Sequence, residues 1–218
     1  MKEKIIHQEF LDIKDFPNHP LFNENKQKWE KWAELNGYKY MFHTEENTEK
    51  YLINDKIKDF YKGLRNHWLR VDFMRYLIVN QEGGLYVDLD ICLNSEGEKY
   101  FDEYLSNRDE VYGIDKNNKF CNCMFGFSKG SLDNLIDFAI KQTEEKSKMP
   151  IYEVYKGRYL LYSTGSHMFR KWCTINKKKK CEILPKYLIN SWTSSWLKTI
   201  VSKKTYNLHE RKKKKEIK

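Results

Sequence analysis

In the stretch GGLYVDLDIC, residues 83–92, two carboxylates stand one residue apart behind a short β-branched and aromatic run. Side chains two positions apart in an extended segment share a side. Tyr86, Asp88, Asp90 and Cys92 are therefore expected on one face, with Leu85, Val87, Leu89 and Ile91 on the other. Two acids directed into one space repel each other and lose hydration, and a cation between them relieves both costs. Oxygen donors suit a hard divalent ion, and Mn²⁺ or Mg²⁺ commonly bridges carboxylates to a substrate's phosphates. Solvated acids at an exposed strand end are the plain alternative, and D-x-D alone does not choose between the two.

The element feeding this segment narrows the choice. Arg65, Trp68, Asp72 and Arg75 are spaced 3, 4 and 3 apart and form one stripe of a helix expected over residues 64–81. Leu64, Leu69, Val71, Phe73, Met74, Tyr76, Leu77 and Ile78 cover most of the remainder, the mark of a buried helix. Its charged stripe must face an ion-pair network, a cavity or a ligand; an internal Asp72–Arg75 pair is the simplest case. The Gly83-Gly84 turn delivers this helix straight into the acidic segment, so stripe and acids are expected to line one site.

The combined block DFMRYLIVNQEGGLYVDLDI resembles the D-x-D region of sugar-nucleotide glycosyltransferases. The family is glycosyltransferase family 32, which holds yeast-type initiating α-mannosyltransferases and many bacterial and viral capsule or glycan enzymes. Its pattern is Asp-x-x-Arg-Tyr, then Gly-Gly-hydrophobic-Tyr-hydrophobic-Asp-x-Asp, and every position is filled here. KIIHQEF, the Trp-containing helix, GYKYMFHTEEN, STGSHMF and EILPKYL extend the likeness over about residues 4 to 209.

The resemblance implies a GT-A fold and a metal-dependent, retaining transfer of a sugar from a nucleotide-diphosphate donor, UDP-sugar or GDP-mannose, to a hydroxyl of a glycan or other acceptor. It implies that Asp90 binds Mn²⁺ or Mg²⁺ and that Asp88 contacts the donor ribose or sugar. Asp72 and Arg75 would hold the sugar and a phosphate oxygen, with Arg65 on the same stripe. Tyr86, His7 and Gln8 would border the nucleotide, and Asn122, Thr164, Gly165 and Ser166 the donor sugar or acceptor. Asp88, Asp90 and Arg75 carry the catalytic roles. The family's late metal-binding His, usually followed by Ser-Trp, has two counterparts: His209 in TYNLHE, which is preferred, and Asn190, ahead of Ser195-Trp196.

The elements that must position these residues follow from patterning. Strands are expected at residues 4–10, 38–43, 85–89, 111–115, 120–127, 159–162 and 182–184. Helices are expected at 22–36, 55–61, 64–81 and near 167–174, with another capped by Ser131. The alternation implies an α/β fold with a mainly parallel sheet, as one domain over residues 1–209 and a basic tail at 210–218.

The chain has 218 residues and a net charge of +9, much of it in lysine runs at 177–180 and 203–218. That charge favours an anionic partner, but no zinc-finger spacing, RNP-like segment or recognition helix supports specific nucleic-acid binding. A basic nucleic-acid-binding protein and a non-catalytic nucleotide-sugar binder are the alternatives. A haloacid-type phosphohydrolase, the other D-x-D class, expects its acids on the first strand. The five cysteines are odd in number and are expected as free thiols. With no secretory signal or bilayer-length apolar run, a soluble cytoplasmic protein, bacterial or viral in setting, is expected.

Overall fold

The computed structural model describes residues 1–11, 20–64, 66–115, 117–148, 158–176, 181–185 and 189–191. The strands are β1 (Ile5–Glu9), β2 (Lys39–His43), β3 (Gly84–Val87), β4 (Ile91–Leu93), β5 (Glu110–Ile114), β6 (Phe120–Phe127), β7 (Glu182–Ile183) and β8 (Ile189–Ser191). The helices are α1 (Pro20–Leu35), α2 (Glu45–Thr48), α3 (Asp55–Gly63), α4 (His67–Glu82), α5 (Ser95–Leu105), α6 (Asp133–Lys146), α7 (Arg158–Ser163) and α8 (Ser166–Asn176).

Six strands form one sheet in the order β2-β1-β3-β6-β5-β7. β1 runs parallel to β2 and β3, and β5 parallel to β7, but β6 is antiparallel to both its neighbours. The sheet is therefore mixed, more so than βα alternation implies. The cause is local: only residues 115–119 join β5 to β6, too few for the crossover that a parallel pair requires.

Strand alternation sorts the core into two layers. Tyr86, Tyr112, Phe125 and Phe127 pack with Phe73, Tyr76 and Leu77 of α4 and with Phe169 of α8. Leu85, Val87, Val111 and Met124 point the other way, onto Trp29 and Trp32 of α1 and Phe101 of α5. Ten residues of α4 are buried, as its all-round apolar composition requires. No helix among the described residues is long and apolar enough to cross a membrane.

Several local expectations change. Residues 158–163 are helical rather than extended; the Gly165 N–H donates to the Leu160 carbonyl at 3.0 Å and closes that turn. α6 is not capped by Ser131, whose hydroxyl donates to Ser128 O at 2.6 Å. Instead Asn80 of α4 accepts from Leu132 N and donates to Asp133 Oδ1, at 2.8 and 2.7 Å, so one helix caps another. Cys121 and Cys123, two apart on β6, bring their sulfurs into contact on one side of the strand; Cys92, Cys173 and Cys181 form no disulfide among the described residues.

A histidine pair locks β1, β2 and the glycine turn together. His7 Nε2 donates to the Gly83 carbonyl at 2.7 Å, which leaves Nδ1 to accept from His43 Nε2 at 2.9 Å. A Cβ at Gly84 would stand 2.6 Å from the Ile5 carbonyl, so β1 and β3 approach this closely only over glycine. Burial pushes His7 down to about 4 and His43 down to about 3. Their contribution to stability is therefore complete above the ordinary imidazole value of about 6.5 and drains away as pH falls toward these lowered values. His43→Gln keeps an N–H able to reach His7 but removes one titrating ring. Wild-type stability should fall relative to this variant below pH 6.5, by up to about 1.4 kcal/mol per pH unit. Urea unfolding at pH 7.5 and pH 5 measures this; an unchanged gap would overturn it.

Candidate active site

β3 stops at Val87, and the acids do not continue it. The Asp88 N–H still bonds to Cys123 O at 2.8 Å, but the Asp88 carbonyl then accepts from Ile91 N at 3.0 Å and closes a turn over Leu89 and Asp90. Asp88 and Asp90 thus sit on a turn rather than side by side on a strand, and Cys92 belongs to β4. Three side chains hold that turn by its carbonyls. Gln8 donates to Asp88 O at 3.4 Å, Asn25 to Leu89 O at 2.9 Å, and the Trp29 indole to Ile91 O at 2.8 Å. Asn25 and Trp29 lie one turn apart on α1, which is how that helix positions the acids.

At the centre is the Arg75 guanidinium, 6% exposed. Its Nη1 donates to Asp88 Oδ1 at 2.9 Å and to the Asn122 carbonyl at 3.0 Å. Nη2 lies 3.3 Å from Asp72 Oδ1, Nε lies 3.3 Å from Glu9 Oε1, and the cation rests 4.7 Å above the Tyr86 ring. Burial works against this charge, but Asp88, Tyr86, Asp72 and Glu9 outweigh it and push the pKa well up. Asn122 also donates to Asp72 Oδ1 at 2.8 Å and to the Tyr76 hydroxyl at 3.2 Å, and Tyr76 donates to Thr164 O at 2.7 Å. A Cβ at Gly165 would lie 3.2 Å from Asp72 Oδ2, so α7 and α8 close against that acid.

These contacts divide each aspartate. Oδ1 of Asp72 and of Asp88 is bound inward. Oδ2 of each carries no hydrogen bond among the described residues, and both side chains remain partly exposed. Asp90 Oδ1 and Glu9 Oε2 are buried with no hydrogen-bond partner among the described residues. Burial pushes Glu9 up to about 8, Asp72 up to about 6 and Asp90 up to about 7, the last reinforced by the charge of Asp88; Asp88 itself is raised by burial against the pull of Arg75. Tyr86 has one phenol proton but meets two acids, Asp88 Oδ1 at 2.8 Å and Glu9 Oε1 at 3.1 Å. That one proton is shared between the two carboxyl oxygens.

Four carboxyl groups around one arginine leave the site short of positive charge. Among the described residues no three His, Cys, Asp or Glu side chains gather as a ready-made metal cage. A magnesium-type site does not require one, since one or two carboxylates plus substrate phosphates suffice. The unpartnered Asp90 oxygen beside Asp88 fits that donor set.

The expected residues are mostly brought together: Asp72, Arg75, Tyr86, Asp88 and Asn122 share one network, with Asp90, Thr164 and Gly165 at its border. His7 is not; it is 0% exposed, with both ring nitrogens used inside the protein. Gln8 lies beneath the turn, accepting from the Tyr40 hydroxyl at 2.8 Å. Trp68, on the same stripe of α4, is 44% exposed. Arg65 and His209 lie outside the described residues. Asn190 is described in its backbone, opposite Cys92 in the β4–β8 pair. Glu9, Asn25 and Trp29 were not anticipated as site residues. The available signal for Glu9 was alternation: β1 pairs His7 with Tyr86, which carries Glu9 toward Asp88.

Residues 20–107 match the model of a family described as a glycosyltransferase sugar-binding region containing a DXD motif. That span holds Asp72, Arg75, Asp88 and Asp90. Eleven chains of known structure match. One, the PaToxG glycosyltransferase, aligns at a TM-score of 0.53 and 11% identity over 79% of this chain and 69% of that one, a likeness of fold. Another, a glycosyltransferase involved in the glycosylation of the major capsid of PBCV-1, aligns at 0.49 and 12% identity over 88% of this chain and 94% of that one. No curated protein sequence matches.

Arg75→Met removes the cation from among buried acids and should cost about 3–5 kcal/mol in urea unfolding; a loss below about 1 kcal/mol would mean the acids do not depend on it. Asp90→Asn should act in the opposite sense. The folded-state pKa of Asp90 is raised, so its favourable contribution is present in acid and lost as pH rises through about 7. The variant should gain stability relative to wild type between pH 4 and pH 8. A fixed thermal-melting difference across that range would contradict the burial of this charge.

Proposed function

We propose that this chain, whose residues 20–107 match a DXD-containing sugar-binding region, is a glycosyltransferase that carries out the metal-dependent transfer of a sugar from a nucleotide-diphosphate donor to an acceptor hydroxyl, with retention of configuration. The observation that carries this reading is the division of the acids. Arg75, Asn122 and Tyr86 fix Oδ1 of Asp72 and Asp88, and Oδ2 of each carries no hydrogen bond among the described residues, that of Asp72 lying against Gly165.

In this reading Asp72 Oδ2 and Asp88 Oδ2 accept hydroxyls of the donor sugar or ribose. Acceptors held this rigidly select one pose, because a displaced hydroxyl leaves a carboxylate oxygen unpaired. Asp90, with Asp88 beside it, would hold Mn²⁺ or Mg²⁺, whose charge neutralises the departing diphosphate. Arg75 supports the same charge development at short range, although its N–H groups already face protein partners. Tyr86 and Gln8 fix the floor of the site rather than touch the nucleotide. Asn190 or His209 would complete the metal shell; the β4–β8 pair sets Asn190 opposite Cys92, two residues beyond Asp90.

A panel of UDP-glucose, UDP-galactose, UDP-N-acetylglucosamine and GDP-mannose, each with and without Mn²⁺, tests this by nucleotide release. One donor should be hydrolysed or bound only with metal, and Asp90→Ala should reduce that rate by about 100-fold or more. No engagement of any donor would set the reading aside. Salt-sensitive DNA binding indifferent to Mn²⁺ would favour a nucleic-acid partner for the +9 chain instead.

A further inference from the structure

We propose that Glu9 is a positioning residue of the transfer reaction: from the end of β1 it fixes Arg75 and Tyr86 so that Asp72 and Asp88 keep their outer oxygens available to the donor. The inference rests on the transferase reading above and adds to it a residue that lies outside the DXD-matching span of 20–107.

The geometry places Glu9 on the only side of the guanidinium that the other acids leave uncovered among the described contacts. Asp88 and Asn122 take Nη1 and Asp72 faces Nη2, while Glu9 Oε1 stands 3.3 Å from Nε as an ion pair without hydrogen-bond geometry. The same oxygen lies 3.1 Å from the Tyr86 hydroxyl, whose other contact is Asp88 Oδ1 at 2.8 Å. One carboxyl oxygen thus touches both groups that set the orientation of Asp88. Without it, the guanidinium could turn about its Nη contacts, and Tyr86 would be free to swing off Asp88. Either movement turns Asp88 Oδ2 away from its place. The Glu9 side chain is fully buried, so it acts through these two neighbours and not by meeting substrate.

Two substitutions of similar shape separate this role from space filling. Glu9→Gln keeps an oxygen able to face Arg75 Nε and accept from Tyr86; Glu9→Met keeps the volume and loses the oxygen. The first readout needs no substrate: the assigned side-chain Nε–H resonance of Arg75, in ¹⁵N-labelled protein. It should remain sharp and slowly exchanging in Glu9→Gln and be lost or exchange rapidly in Glu9→Met. The second is turnover of whichever donor the panel identifies. kcat should stay within about 3-fold for Gln and fall on the order of 100-fold for Met, the size of effect expected from misplacing a catalytic group by about 1 Å, with donor KM little changed. Should Glu9→Met fail to fold, Glu9→Asp, which withdraws the oxygen by one methylene, replaces it with the same expectation. Equal behaviour of Gln and Met in the Arg75 resonance overturns the proposal. If wild type turns over no donor, the transferase reading fails while the resonance still decides whether Glu9 positions Arg75.

Discussion

A buried guanidinium among acids is the constraint on which the rest of this structure depends. Placing Arg75 inside the fold is tolerable only because Asp88, Asp72 and Glu9 surround it and an aromatic face lies beneath it. Placing those acids inside is tolerable only because Arg75 is there. Neither half could be introduced alone, so β1, β3, α4 and β6 have to arrive at one point. The requirement explains why α4 is apolar nearly all round. Its apolar face draws it against the sheet and so carries Arg75 and Asp72 to the ends of β1 and β3.

The supports form a second tier with a consistent logic. The acidic turn is held through its backbone carbonyls by Gln8, Asn25 and Trp29, so its carboxylates are left unencumbered. The glycine turn that precedes it is tied to β1 through a neutral histidine pair that contributes directional hydrogen bonds without adding charge to an already crowded region. Tyr76 and Asn122 connect the Thr164 carbonyl to Asp72, so the segment around α7 and α8 bears on the same acid from the far side. Behind all of these, Tyr76, Tyr86, Phe125 and Phe169 pack as one aromatic layer that keeps water from the ion pairs.

What could be read in the sequence was what depends on neighbours along the chain. The 3-4-3 spacing of the α4 stripe, the Gly-Gly turn and the period-2 run of β6 are local signals, and each produced the element expected. The acids of the Gly-Gly block were found for the same reason. What could not be read depends on partners far away. Glu9 becomes a site residue only because β1 pairs parallel to β3, a contact across nearly eighty positions. The cap of α6 comes from Asn80 on another helix, which overrides a serine with the right local chemistry. Tyr159 to Tyr162 carries strand-forming side chains, yet packing against the core and closure at Gly165 make it helical. The acidic turn departs from an extended reading because carbonyl partners on β1 and α1 reward the bend, and no spacing rule contains them.

The sheet order also governs when the site can come into existence. Its central strands are drawn from residues 5–9, 84–87 and 120–127, and Asp72 is closed off only by the segment near 160–165. On a ribosome, β1 would emerge long before its partner β3, and β3 before β6. The nascent chain would therefore expose α4, with its broad oily surface and the Arg75 that the fold buries, until some fifty further residues had been made. A fold of this connectivity trades early, local assembly for a centre in which no single stretch of the chain can hold the charges by itself. Its synthesis is correspondingly exposed to premature association and to capture by chaperones that recognise apolar helices.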